Sequence, residues 1–246
     1  MKLKSKTILF AGLAIFSSFQ AVKADSFDYY LFAASWQPGF CATHADKAEC
    51  QTLTSSSWTA SHMSLHGLWP NRYGGNHPAY CGVSSQVVGM DKNNSQWCQM
   101  GDYGLSSSFR QSLAQQMPGV DSCLDYHEWY KHGSCAGQAP VDYFATAQWL
   151  TQQLGGTSFN QFLVTNRGRT VSRNALLNAF DASFGSNARR AVSLKCTKSG
   201  GVSYFAEAWI ALNADTLDQF PSASSLVMDA GQAGNCPSSN IYIARF

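Results

Sequence analysis

The chain has no two cysteines spaced as Cys-x-x-Cys among its eight, which argues against reading them as metal ligands. Its N-terminal apolar run, Ile8 to Phe19, falls short of the roughly 20 residues that a membrane-spanning helix needs. No internal repeat, low-complexity linker or break in composition divides the chain, so one domain is expected. A strongly basic balance is also missing, with 17 Lys and Arg against 15 Asp and Glu.

What is present begins with a leader. Lys2, Lys4 and Lys6, the apolar run, and Val22-Lys23-Ala24 before Asp25 predict a secretory signal peptide at 1–24, with a single mature domain at 25–246. Export agrees with an even cysteine count, because disulfides persist in the periplasm or outside the cell. Periplasmic location is the first expectation and extracellular the alternative. Loss of Lys2, Lys4, Lys6 and Lys23 leaves 13 basic against 15 acidic residues, a net charge of −2. Tight nucleic-acid binders gain affinity by neutralising phosphates. This balance therefore allows only a local positive site, supplied by Lys131, imidazoles and Arg72.

Periodicity predicts a buried strand over 28–36, helices over 106–117, 141–154 and 172–184, and strands over 204–212 and 241–246. Ser172 is placed to cap the third helix. Strands set apart from a helical middle indicate a single α+β domain, an antiparallel sheet flanked by helices. Short loop length favours a Cys41–Cys50 disulfide, and Cys196–Cys236 would tie two C-terminal strands together. Spacing alone leaves the other four cysteines open.

The densest chemistry lies in His127-Glu128-Trp129-Tyr130-Lys131-His132. Read as a helix, four-residue spacing puts Glu128 under His132 and His127 under Lys131, with all four polar groups on one face and Trp129 and Tyr130 packing elsewhere. Such a face offers proton donors and acceptors, an orienting carboxylate and cations, which suits a reaction at an anion. A helical zinc pair needs histidines four apart. Here five residues turn the imidazoles about 140° from each other, so a helix would not aim both at one ion.

Upstream, His62-Met63-Ser64-Leu65-His66-Gly67-Leu68-Trp69-Pro70 alternates like a strand that ends near a turn at Pro70 and Asn71. His66 would emerge at the strand's end. His62 lies two alternations away and either lines the same cleft or is solvated; the ordinary behaviour of a single histidine favours solvation.

His66-Gly67-Leu68-Trp69-Pro70 and His127 through Cys135 resemble the two active-site segments of the ribonuclease T2 family, and Ser35-Trp36-Gln37-Pro38-Gly39-Phe40-Cys41 is a third family-like stretch. The order and separation of the three are those of the family, over nearly the whole mature chain, and the pattern is most similar to its bacterial, periplasmic, broad-specificity members. The resemblance implies a ribonuclease T2-like fold, a Cys81–Cys135 disulfide that leaves Cys98 with Cys123, and cleavage of single-stranded RNA without a metal or other cofactor by a monomer. It assigns His132 as base and His66 as acid in the first step, Glu128 and Lys131 to charge on the pentacovalent phosphate, and His127 to a phosphate oxygen. The ribose 2′-hydroxyl serves as nucleophile, so products are 2′,3′-cyclic phosphates and then 3′-phosphates, and DNA is not cut.

Trp69, Asn71 and Tyr73 are the base-binding candidates. A π-face stacks any base at about 1 to 3 kcal/mol, which favours tolerance. Trp69 packed into the core is the competing reading. Asn71 stands where some relatives carry an acid, which weakens purine selectivity. Two other functions stay open: a secreted zinc hydrolase using His62, His66 and Glu128, and a disulfide-stabilised binding protein without chemistry. Asn93-Asn94-Ser95 matches a glycosylation acceptor.

Overall fold

The computed structural model describes residues 26–230 and 233–246; the expected leader lies outside them. Strand β1 (Tyr29–Ser35) is buried at every position, as its unbroken apolar run requires of a strand covered on both faces. It pairs antiparallel with β2 (Ser64–Asn71) on one side and with β5 (Val202–Leu212) on the other. Strand β4 (Val192–Ser199) lies along the far edge of β5. Strand β6 (Ile241–Ile243) joins β5 at Ser203 and Tyr204, and β3 (Arg169–Val171) pairs with β6. All pairs are antiparallel except β5 with β6, which is parallel.

The helices are α1 (Gln37–Cys41), α2 (Ala48–Gln51), α3 (Ser85–Asp91), α4 (Ser107–Ala114), α5 (Leu124–Lys131), α6 (Pro140–Gly155), α7 (Ser158–Thr165) and α8 (Arg173–Phe184). Phe32, Leu68, Tyr143, Phe144, Phe159, Phe180 and Phe205 are fully buried in one core that joins sheet and helices. Ser172 caps α8 as expected, its Oγ accepting from the Ala175 N–H at 3.1 Å. Helix α4 stops at Ala114 and β6 at Ile243, both earlier than periodicity suggests. Six strands and α-helices escape the sequence reading altogether: α1, α2, α3, β3, β4 and α7.

Two irregularities in the sheet matter for function. Between β1 and β2 the register steps from Ala33↔Gly67 to Ala34↔Leu65, which leaves His66 as the extra residue of a bulge. Between β4 and β5 it steps from Lys195↔Glu207 to Cys196↔Phe205, which leaves Ala206 extra. Bulges re-aim side chains and bend strands. These two lie on either side of β1, and they turn His66 and Glu207 toward each other.

Disulfides Cys41–Cys50, Cys81–Cys135, Cys98–Cys123 and Cys196–Cys236 close. They are the pairs that loop length and the family resemblance give. Cys98–Cys123 holds the residue just before α5, and Cys81–Cys135 holds the 3-10 turn (Gly133–Cys135) just after it.

Candidate active site

His66 is a bulge residue whose Nδ1 lies 2.7 Å from Glu207 Oε1. The carboxylate is itself held: Ser35 Oγ donates to Oε1 at 3.0 Å and Trp209 Nε1 donates to Oε2 at 2.7 Å. Since an ionised carboxylate only accepts, His66 carries its proton on Nδ1 whenever it is neutral. Nε2 then faces the other way, 3.5 Å from Glu128 Oε1.

Glu128 reaches the site from α5, whose first turn is anchored at Asp125. That buried carboxylate accepts from Arg110 Nε at 2.6 Å and from the Tyr103 hydroxyl at 2.6 Å. One turn on, Glu128 is wholly buried, and its Oε2 accepts from Trp69 Nε1 at 2.7 Å. Gly67 makes this approach possible, because a Cβ there would land on Glu128 Oε2 and Trp69 Nε1. The glycine of the His66-Gly67-Leu68-Trp69-Pro70 segment is thus a steric requirement. Trp69 belongs to both readings of it: it packs beside the small cluster of Tyr29, Leu31 and Ala211, and it also forms a wall of the site. His132 stacks on its ring with centroids 5.1 Å apart, and His66 meets the same ring edge-on at 5.3 Å.

The helix does not run to His132. It ends at Lys131, and His132 is the C-cap residue with φ −115° and ψ −55°. Its N–H still donates to the Glu128 carbonyl, as a helical residue's would. The expected gathering of polar groups forms, but the 140° argument, which assumed continuous helix through His132, fails. Ligating atoms of His127, Glu128 and His132 come within 4.8 Å of one another. Their partners nevertheless suit proton transfer better than metal binding: Glu128 Oε2 is taken by Trp69, Oε1 faces His66, and the Lys131 charge acts on both Glu128 and His132. Gly133 lets the chain turn here, since a Cβ would come within 2.6 Å of the Trp129 ring.

The two imidazoles differ in charge. Burial disfavours the His66 imidazolium, but the Glu207 charge and hydrogen bond, with help from Glu128, outweigh burial and raise its pKa to about 9. Glu207 is correspondingly depressed to about 2, its burial outweighed by His66. His132 has no carboxylate partner among the described residues. Burial and then the charges of Lys131, His127 and His66 push it well below the usual imidazole range. Burial raises Glu128, against the pull of His66 and His127. His127 is held from behind: its Nδ1 lies 2.8 Å from Asp91 Oδ1, whose other oxygen accepts from the Tyr80 hydroxyl, and its ring stacks on Trp97.

Asn71 is buried at the end of β2, with its Nδ2 unpartnered. Tyr73 is 60% exposed, its ring 5.3 Å from that of Tyr29. Arg72 donates through Nε to the Ser26 carbonyl. His62 departs from both expectations. It precedes β2, stacks on Trp58 at 4.4 Å and bonds the Trp58 carbonyl, so it neither joins the site nor stands free in water. The Asn93 amide caps a 3-10 turn by accepting from the Ser95 N–H. Sequence reasoning missed Glu207, Asp91 and Trp209. A cavity of about 390 Å³ opens beside His66 and Glu207, with Phe40, His44 and Lys47 on its wall.

Fold and site together define an α+β enzyme with a cationic imidazole edge-on to an indole and a neutral imidazole stacked on the same ring. Residues 27–223 match the ribonuclease T2 family model, and the chain belongs to that family, the endoribonucleases of this class. It is 31% identical over 95% of its length to Ribonuclease I of Escherichia coli (strain K12), covering 94% of that protein. It is 29% identical to Extracellular ribonuclease LE of Solanum lycopersicum over 53% of each chain. Among solved structures, ribonuclease MC1 from bitter gourd seeds superposes with a TM-score of 0.62 at 21% identity, over 88% of this chain and 100% of that one. RNase NT in complex with 5′-AMP gives 0.61 at 17% identity, over 90% and 100%. Among the described residues no helix is long and apolar enough to cross a membrane.

Proposed function

We propose that this endoribonuclease cleaves single-stranded RNA by transphosphorylation without a metal, with His132 as base and His66 as acid in the first step. The single observation that carries the reading is the opposite charge bias of two imidazoles that share the Trp69 ring. A neutral imidazole can take the 2′-hydroxyl proton while a protonated one gives its proton to the departing 5′-oxygen. Glu128, Lys131 and His127 serve the pentacovalent phosphate, where fixed charge in a dry site is worth most. Base contact falls to exposed Tyr73 and the accessible part of Trp69. With the Asn71 amide buried, stacking outweighs edge reading and specificity is broad. The protein acts as a monomer in the periplasm or outside the cell, after removal of 1–24.

The test is incubation of the mature protein with RNA in excess chelator, followed by end analysis. Cyclic-phosphate ends are expected at an undiminished rate, with DNA of the same sequence left intact. Full inhibition by chelator, reversed by zinc, would overturn the metal-free mechanism.

A further inference from the structure

A two-imidazole site is symmetric on paper: either histidine could take the proton in the first step and return it in the second. What breaks the symmetry here is a residue 141 positions from His66. Glu207 is half-buried on the central strand β5, directed at His66 Nδ1 by the bulge at Ala206, and tied by Ser35 and Trp209. Side chains on β1 and on β5 itself hold this one carboxylate against one imidazole nitrogen of β2. His132 has no such partner among the described residues.

We propose that Glu207 is the positioning residue that commits His66 to the role of acid, by fixing the proton on Nδ1 and presenting Nε2 alone to the departing oxygen. The inference rests on the ribonuclease reading above. In the first step His132 takes the 2′-hydroxyl proton, the O2′–P bond forms, the P–O5′ bond breaks and His66 Nε2–H protonates O5′. In the second step the roles reverse: His66 must take a proton from water as the water oxygen bonds phosphorus, the P–O2′ bond breaks, and His132 returns its proton to O2′. A carboxylate that keeps His66 protonated helps the first step and hinders the second. The enzyme is thereby biased toward release of cyclic phosphate.

Other charges face this pair as well. Glu128 and Lys131 on α5 act on His66, which in turn acts on His132. Lys195 on β4 sits over the Trp209 ring at 4.1 Å and feels Glu207, and His44, Lys47 and Glu49 share the adjoining cavity. None of these approaches His66 as closely as Glu207 does. Its carboxylate is the one whose removal should change the balance between steps.

Glu207→Gln keeps an acceptor for Nδ1–H but removes the charge, whereas Glu207→Leu removes both. With a dinucleotide and with a 2′,3′-cyclic mononucleotide as separate substrates, the Gln variant should lower the ratio of first-step to second-step kcat at least tenfold. It should also move the alkaline limb of first-step kcat/KM, near pH 9 in the parent, down by at least one unit. The Leu variant should slow both steps. Equal slowing of both steps by the Gln variant with the limb unmoved would reduce Glu207 to a structural residue and overturn the proposal. Nitrogen-15 NMR of the unmutated protein decides the geometry independently of activity: Nδ1–H in neutral His66 and titration near pH 9 support it, and an Nε2–H tautomer or titration below pH 7 would sink it. Should the parent produce no cyclic ends from RNA, the ribonuclease reading fails, while the NMR still tests the pair itself.

Discussion

At the scale of single residues, the site makes demands that differ in kind. His66 and His132 are asked for proton transfer, so replacing either by Ala should cost about 100- to 10,000-fold in kcat/KM. The double variant should lose much less than the product of the two, because groups acting as one unit are non-additive. Glu128→Gln should be milder, since it keeps an acceptor for Trp69 Nε1. Gly67→Ala is a different test. Its Cβ would collide with the Glu128 carboxylate, and displacement of a reacting group by about 1 Å is worth some 100-fold; the loss should appear in kcat with the fold intact by circular dichroism.

The same residues set a pH signature for stability. His66 has a raised folded-state pKa, so its contribution is complete below its ordinary value near 6.5 and is lost as pH rises through about 9. Glu207 is depressed, so its contribution is complete above its ordinary value of 4.5 and is lost as pH falls through about 2. The pair therefore stabilises most between about pH 4.5 and 6.5. Urea midpoints measured across pH should show that plateau, and Glu207→Gln should flatten both flanks; an unchanged profile would mean the pair adds no net stability.

At the scale of elements, α5 is the part on which the site most depends. Asp125 pins its first turn to Arg110 and Tyr103 while disulfides grip the chain just before and just after it. Asp125→Ala should destabilise the fold by about 3 kcal/mol, read as a lower urea midpoint at constant slope, and should lower activity through Glu128. Much of this element was legible in the sequence, because the polar spacing of His127, Glu128, Lys131 and His132 is a local signal. What was not legible depends on distant partners. The end of α5 at Lys131 follows from the packing of Trp129 and Tyr143 around Gly133, which no window of the sequence contains. Glu207 reads as an ordinary polar position on a strand. Its meaning comes only from a bulge and from a histidine in another part of the chain. Strand β4 carries a bulged register opposite β5, and β6 pairs in parallel through only two residues; neither leaves a periodic trace.

Across the whole molecule, the eight cysteines form four bridges that span 9, 25, 40 and 54 residues. Thiol counting under denaturing conditions should find no free thiol in the purified protein, and two or more reactive thiols would contradict the pairing. Each bridge restricts the unfolded chain by typically about 2–4 kcal/mol. Reduction of Cys81–Cys135 should affect activity most, because Cys135 ends the turn that follows His132.

The reach from β2 to β5 also has a consequence in time. His66 and His132 are both translated well before Glu207, yet β1 cannot complete its pairing, nor His66 acquire its partner, until β5 arrives near the end of the chain. Contacts so distant in sequence form late and slowly. A growing or half-folded chain therefore carries both imidazoles with His66 still unpartnered, and in refolding the recovery of cyclising activity should trail the return of helical signal.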